Sequence, residues 1–186
     1  MPIAINGTGT ITGISAGGLP DDCITTAELA QPMTLAAAQN ATGTSVDFTG
    51  IPSWAKRITV MFNEVSISGT ANILIRLGTS GGFEPSGYES QTAIVNTASN
   101  TANSTAGFII YGNLAAKELS GIMTISNLSG NIWTASGTFS SLGGTNSVAI
   151  SGGKKQTSSV LDRIQILASN GTDTFDLGSI NIMYEG

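Results

Sequence analysis

The chain contains no histidine and a single cysteine, Cys23, among its 186 residues. The lack of histidine excludes a Ser-His-Asp triad, a Cys-His pair and histidine-ligated zinc. One cysteine cannot form an internal disulfide. We therefore expect Cys23 to be a small packed side chain rather than a nucleophile.

Charged residues are also scarce. They make up 10 % of the chain, with seven Lys and Arg and 12 Asp and Glu for a net charge of −5, against roughly 25 % in ordinary soluble domains. The basic residues are scattered, which argues against nucleic-acid binding through phosphate neutralisation. The sequence shows neither a basic amphipathic stretch, an apolar run of about 18 residues nor a secretory signal. We expect no membrane insertion.

Glycine is abundant instead, with 24 residues, and Ser, Thr and Asn occupy many remaining positions. From Thr44 onward, short alternating segments are separated by turn residues at intervals of roughly 8–14 residues. Ile58, Val60 and Phe62, for example, alternate with polar residues, as in a half-buried strand. This pattern predicts an all-β fold, an antiparallel β-sandwich or jelly roll, over residues 44–186.

The same pattern predicts the connections between strands. Residues 68–70 are a candidate hairpin turn, and residues 78–87 and 96–106 are predicted to be long loops. In the last strand the alternation changes phase at residues 178–179. A phase change at a glycine predicts a β-bulge.

Residues 1–43 have a different character. Ile11 and Ile14 lie in a Gly/Thr ribbon that has too few apolar residues to bury itself alone. A turn follows at residues 17–22, and the sequence TTAE at residues 25–28 matches a helix capping box. We predict an extended N-terminal arm with a short helix, ordered only when it lies on another surface.

The carboxylates show no catalytic pattern. Asp21 and Asp22 precede the predicted helix, where negative charge is favourable. Asp173 and Asp176 flank the last strand without the spacing of a calcium loop. The glycine clusters lack the spacing of nucleotide-binding loops, and residues 154–155, two lysines after two glycines, are interpreted as a solvated hairpin tip. We expect no catalytic, cofactor-binding or metal-binding residue.

The glycine-rich loop at residues 79–90 holds the candidate contact residues. Phe83 and Tyr88 stand among Gly, Ser and Pro. Aromatic rings in such loops either contact sugars or protein partners or anchor the loop in the core, and the sequence leaves both interpretations open. Glu84 would help to bind a sugar or a cation. We predict Phe83, Glu84 and Tyr88, together with the loop at 97–106, as a receptor-facing surface.

Two stretches resemble a known class of proteins. GTGTITGISAGGLPDDCITTAELA is similar to the N-terminal segment of many tailed-bacteriophage fibre and tail proteins. DFTGIPSWAKRITVMFNEVSISGTANILIRLG and GYES resemble the β-domain that follows this segment there. The resemblance covers residues 5–30 and 47–90, and the remainder loosely. It departs at residues 22–23, Asp-Cys, where a glycine is usual.

The resemblance implies a non-enzymatic homotrimeric virion protein. Residues 1–43 would attach it to other virion proteins, and the β-domain would face a host-surface glycan or protein from the tail or capsid surface. A tail fibre or receptor-binding component is the first interpretation; a capsid decoration protein or head fibre, a cellular carbohydrate-binding module and a glycan depolymerase acting with carboxylates are the alternatives. The implied assembly and attachment residues are Ile11, Ile14, Leu19, Ile24 and Leu29.

Overall fold

The structure, a computed structural model, describes residues 31–95, 100–112, 115, 117–143 and 146–186. Met33–Gly186 form one compact unit. The described residues contain strands and no helix. The strands are β1 (Thr34–Leu35), β2 (Gln39–Asn40), β3 (Ser45–Thr49), β4 (Arg57–Ile67), β5 (Ile73–Thr79), β6 (Gly82–Phe83), β7 (Tyr88–Val95), β8 (Asn100–Ser104), β9 (Phe108–Ile110), β10 (Glu118–Ser129), β11 (Ile132–Leu142), β12 (Ser147–Gln156), β13 (Arg163–Ala168) and β14 (Phe175–Glu185).

These strands form two antiparallel sheets. The large sheet has the order β1-β14-β4-β10-β11-β12-β7-β8, with β2 also paired to β14. The small sheet has the order β3-β13-β5-β6, with β9 paired to β5. Buried side chains of both sheets join in one hydrophobic cluster. The all-β, antiparallel prediction is confirmed, and the arrangement is consistent with a β-sandwich.

Alternation of side chains decides which face of the large sheet is buried. Along β11, Trp133, Ala135, Gly137 and Phe139 are buried, while the residues that alternate with them are exposed. The Phe139 ring meets the edge of the Phe62 ring at a centroid distance of 5.4 Å. The buried face predicted from Ile58, Val60 and Phe62 of β4 is confirmed, since all three are buried. A strand with one buried face places every second side chain in the core.

The predicted bulge in the last strand is confirmed. Pairing of β14 with β4 shifts register between Leu177 and Ser179, and Gly178 has a φ of 90°. A Cβ atom at Gly178 would lie 2.4 Å from the carbonyl oxygen of Glu64. Glu64 itself has a φ of 53°, a left-handed conformation that non-glycine residues seldom adopt. Only glycine therefore fits on the β14 side of the bulge.

The predicted hairpin turn at residues 68–70 is wrong. The strands on either side, β4 and β5, belong to different sheets, so this segment crosses from one layer to the other. It is held by the backbone N–H of Ser68, which donates to the carbonyl of Thr174 at 2.8 Å, and by the carboxylate of Asp173, which accepts from the Ala71 N–H at 3.1 Å. Alternation within a strand carries no information about which sheet that strand joins.

The loop predicted at residues 96–106 is in part a strand. Residues Asn100–Ser104 form β8 and pair antiparallel with Ser90 to Ile94 of β7. The sequence NTANS has low β-propensity. It becomes a strand because the free edge of β7 supplies backbone partners, which do not depend on side-chain type.

Two short strands precede residue 43, the predicted end of the arm. β1 and β2 pair with β14, and Ala41 is buried. Residues 1–30 of the predicted arm lie outside the described residues, together with the predicted short helix and the five residues assigned to assembly, Ile11, Ile14, Leu19, Ile24 and Leu29.

Candidate functional site

The glycine-rich loop between β5 and β7 is folded back on the end of the small sheet. Gly82–Phe83 pairs with the end of β5, and the backbone N–H of Glu84 donates to the carbonyl of Leu77 at 2.9 Å. The exposed residues of the loop are Ser80 and Gly81, which precede β6, and the tip, residues 85–87. The loop therefore has a fixed base and a short exposed tip.

An ion pair holds the base of this loop. The carboxylate of Glu84 lies 2.6 Å from the ammonium of Lys155 and also accepts hydrogen bonds from the Ser158 backbone N–H at 2.8 Å and hydroxyl at 2.6 Å. The Lys155 ammonium donates to the carbonyl of Ser86 at 2.9 Å. The lysine side chain is only 7 % exposed. Because three segments of the chain meet at these two charges, the pair fixes the shape of the loop.

Tyr88 lies in the core and not on the surface. It is 1 % exposed, its hydroxyl accepts from the Leu77 N–H at 2.6 Å, and its ring packs edge-on against Phe108 at 5.2 Å. The Lys155 ammonium lies 5.2 Å from the centre of the same ring. Burial raises the pKa of the Tyr88 phenol above its usual range. The sequence left two interpretations open for Tyr88, an exposed contact residue and a buried anchor of the loop. In the structure Tyr88 is the buried anchor, because its side chain points inward from β7.

Phe83 is half-buried beside the same loop. The Arg163 guanidinium lies 5.9 Å from the centre of its ring, and Arg163 is in turn held by Asp162 through hydrogen bonds of 2.7 and 3.2 Å. An open depression of about 300 Å³ lies next to Phe83 and Glu84. One face of the Phe83 ring is therefore covered by a cation that is itself fixed.

The Glu84–Lys155 ion pair makes the stability of the protein depend on pH. Burial alone would raise the pKa of Glu84, but hydrogen bonds from Lys155 and Ser158 and the lysine charge outweigh it and leave that pKa below its ordinary value. A depressed folded-state pKa stabilises the protein above the ordinary glutamate pKa of about 4.3, and this stabilisation is lost as the pH falls through that value towards the folded-state pKa. We expect the free energy of unfolding to fall less between about pH 5 and pH 3 in Glu84→Gln than in the unsubstituted protein. Urea unfolding over this range measures the difference; parallel curves would contradict it.

The sequence alone missed Lys155, Ser158 and Arg163 as members of this site. The interpretation of residues 154–155 as a solvated hairpin tip is wrong, since both lie within β12. Lys154 points outward and Lys155 inward. Both alternating sets of residues in β12 contain small or apolar side chains, so the sequence carries no signal for which lysine is buried.

The remaining candidate residues serve the fold or lie on the surface. Asp173 caps the crossing between the sheets, and Asp176 is exposed on β14. Across the described ranges, no group of three or more Cys, Asp or Glu side chains is arranged to hold a metal ion. The same part of the chain has no helix with the length and apolar character needed to cross a membrane.

Comparison with known proteins identified no relative of this chain. No protein-family model, curated protein or solved structure matches this chain. The candidate function therefore rests on the geometry of the loop and on the resemblance of residues 5–30 and 47–90.

Proposed function

We propose that the chain is a bacteriophage virion structural protein, a tail-fibre or receptor-binding component without enzymatic activity. Residues 1–43 attach it to other virion proteins, and it acts as a homotrimer whose jelly-roll-like β-domain faces the host surface. The observation that carries this proposal is the locked loop at residues 82–88, together with the resemblance to fibre proteins. The contact is made with a host-surface glycan or protein.

The locked loop supports recognition by pre-organisation. An exposed segment that is already ordered loses little conformational entropy when it binds a partner. Here Glu84 and Lys155 satisfy each other, and Ser158 fills the remaining acceptor positions of the carboxylate. An ion pair whose hydrogen-bonding groups are all occupied is suited to holding a loop in place. It is less suited to proton transfer, which needs a group whose pKa lies near the working pH.

Labelling of particles tests the proposed location. An antibody against residues 33–186 is used for immunogold electron microscopy of particles produced from the genome that encodes this chain. We expect label at the tail. Label over the capsid shell would contradict the tail-fibre assignment in favour of a decoration protein or head fibre, and particles without label would overturn the virion assignment.

Competition for adsorption tests the role of the loop. Purified full-length protein is expected to reduce adsorption of particles to host cells, and Ser86→Arg, at the exposed loop tip, is expected to lose at least about tenfold in potency, as loss of 1.4 kcal/mol or more would produce. Thr172→Arg is the matched control, because Thr172 is also exposed and follows the end of β13 that pairs with Ile73, away from the end that pairs with Gly78 beside the loop. Equal potency of the two variants would contradict a receptor-facing loop.

A further inference from the structure

A trough runs along β7 on the outer face of the large sheet. Two open depressions of about 490 and 660 Å³ share Gln91 of β7, Asn103 of β8 and Gly152 of β12 among their lining residues, so they adjoin each other. Together they follow β7 from Glu89 to Ala93, a length of about 13 Å at the ordinary rise of a strand. Each volume lies in the range of ordinary ligand pockets, roughly 300–1,000 Å³. The trough therefore has room for an elongated ligand.

The floor of the trough lies where a side chain is missing. Ile150 and Lys154 flank Gly152 on the same face of β12, and both of these side chains are exposed. A Cβ atom at Gly152 would find only the carbonyl oxygen of Ala135 within 4 Å, at an ordinary contact distance of 3.5 Å. The backbone therefore does not require glycine at this position, and a larger side chain there would occupy the trough without disturbing β12.

Hydroxyl groups on the inner face hold the strands under the trough together. The Ser90 hydroxyl donates to the carbonyl of Gly152 at 3.3 Å. The Thr92 hydroxyl donates to the carbonyl of Ile150 at 3.1 Å and accepts from the Ser151 hydroxyl at 2.9 Å. The backbone of β7 is also paired on both sides, with β12 and with β8. A surface that is fixed in this way loses little conformational entropy when it binds a ligand.

Uncharged hydrogen-bonding side chains line the trough. Gln91 and Asn103 lie opposite each other in the pairing of β7 with β8, and both are exposed. Thr101 and Thr105 are exposed beside them. A side-chain amide has two N–H donors and a carbonyl acceptor, and a hydroxyl both donates and accepts. Each hydroxyl of a sugar has the same double character, so neighbouring sugar hydroxyls can donate to and accept from one amide.

The end of the trough farther from Glu89 is apolar. Ile150, which is 52 % exposed, and Ala93, which is half-buried, both line it. The C–H groups on one face of a sugar ring lose contact with water when they pack against such side chains, which is favourable. A ligand that has both C–H faces and hydroxyl groups therefore uses the apolar end as well as the amides.

The trough has no net charge and no free backbone partners for a peptide. Among the described residues that line the two depressions, Glu89 alone is charged, and Lys154 neutralises it at 3.1 Å. An anionic ligand would therefore find no excess positive charge. A peptide strand gains most at a sheet edge, where backbone groups are unpaired, but the backbone of β7 is paired on both sides. These features favour a neutral saccharide over an anion or a peptide.

We infer that this trough binds a neutral oligosaccharide. The amides of Gln91 and Asn103 form hydrogen bonds with its hydroxyl groups, and Ile150 packs against the face of a sugar ring. The inference deepens the proposed function by naming the chemical class of one host-surface contact, and it rests on that proposal only for the source of the saccharide. The strand β8, which forms one side of the trough, belongs to the segment 97–106 that the sequence predicts to face a receptor.

Binding of labelled full-length protein to an array of neutral and acidic oligosaccharides tests the trough. We expect binding to neutral members of the array. Gly152→Leu is expected to weaken it at least about tenfold, because leucine fills the trough, and Gln91→Ala about threefold to tenfold, as loss of a hydrogen bond would produce. Thr134→Leu is the matched control, since Thr134 is exposed on the same face in β11 but does not line the trough, and this variant is expected to bind normally.

The possible outcomes separate this inference from the proposed function. Thermal unfolding confirms that each variant is folded, and Gln91→Ala tests the trough alone if Gly152→Leu does not fold. Unchanged binding by the folded trough variants, binding to acidic oligosaccharides only, or no binding at all would overturn the inference. Binding that Ser86→Arg abolishes and Gly152→Leu retains would assign the saccharide to the loop and leave the proposed function standing. Particles without immunogold label would overturn the virion assignment even if neutral oligosaccharides bind in the trough.

Discussion

Replacing Glu84 by alanine is expected to lower the free energy of unfolding by about 3–5 kcal/mol, the cost of leaving a buried charge without its partner. The Lys155 ammonium would keep only the carbonyl of Ser86 and the face of the Tyr88 ring, in a side chain that is 7 % exposed. Urea unfolding at neutral pH measures the change. A loss below about 1 kcal/mol would show that the pair behaves as an exposed one.

A matched control for this prediction is the ion pair of Lys154, which is next to Lys155 in β12. Lys154 pairs with Glu89 at 3.1 Å, but the two side chains are 58 % and 74 % exposed. Glu89→Ala is therefore expected to change stability by no more than about 1 kcal/mol. A double variant, Glu84→Leu with Lys155→Met, is expected to be more stable than Glu84→Ala, because an apolar pair leaves no buried charge behind.

Replacing Gly178 by alanine is expected to cost about 2–5 kcal/mol of unfolding free energy. A φ of 90° costs an L residue roughly 1–2 kcal/mol, and overpacking adds about 1–3 kcal/mol. The new Cβ would meet the carbonyl oxygens of Glu64 and Asn63 at 2.4 and 2.5 Å. These are backbone atoms, so the strand β4 itself would have to move. Thermal and urea unfolding measure the cost.

Gly171→Ala separates the two causes. Gly171 has a φ of 70°, and a Cβ atom there would find no atom within 4 Å. We expect only the conformational cost, about 1–2 kcal/mol. If Gly178→Ala and Gly171→Ala destabilise the protein equally, the close contact with β4 contributes nothing and the bulge is held by backbone conformation alone.

The Glu84–Lys155 pair and the bulge at Gly178 both hold parts of the chain that the proposed function uses. The Glu84–Lys155 pair holds the loop whose tip is exposed, and the bulge at Gly178 bends β14 where β2 and the segment around Ala41 join it. The N–H of Ala41 donates to the carbonyl of Gly178 at 2.9 Å. The bulge thus contributes to the attachment of residues 33–43 to the β-domain.

Much of the fold follows from local sequence. The alternation of Ile58, Val60 and Phe62 identifies the buried face of β4, and the phase change at Gly178 identifies the bulge. Both depend on the two-residue period of a strand and on the backbone freedom of glycine. These properties are carried by neighbouring residues, so they can be interpreted without knowledge of the rest of the chain.

The tertiary structure decided the features that depend on distant partners. Residues 68–70 cross between sheets, Asn100–Ser104 becomes a strand, and Lys155 is buried against Glu84, because in each case the partner comes from a remote part of the chain. Backbone pairing is nearly independent of side-chain type, so the sequence of a strand does not identify its partner. The two lysines after the two glycines have the same local sequence whether they face water or a carboxylate. The strand faces were therefore determined by the sequence itself, while sheet membership and the charge pair at the loop were decided only when the two sheets packed together.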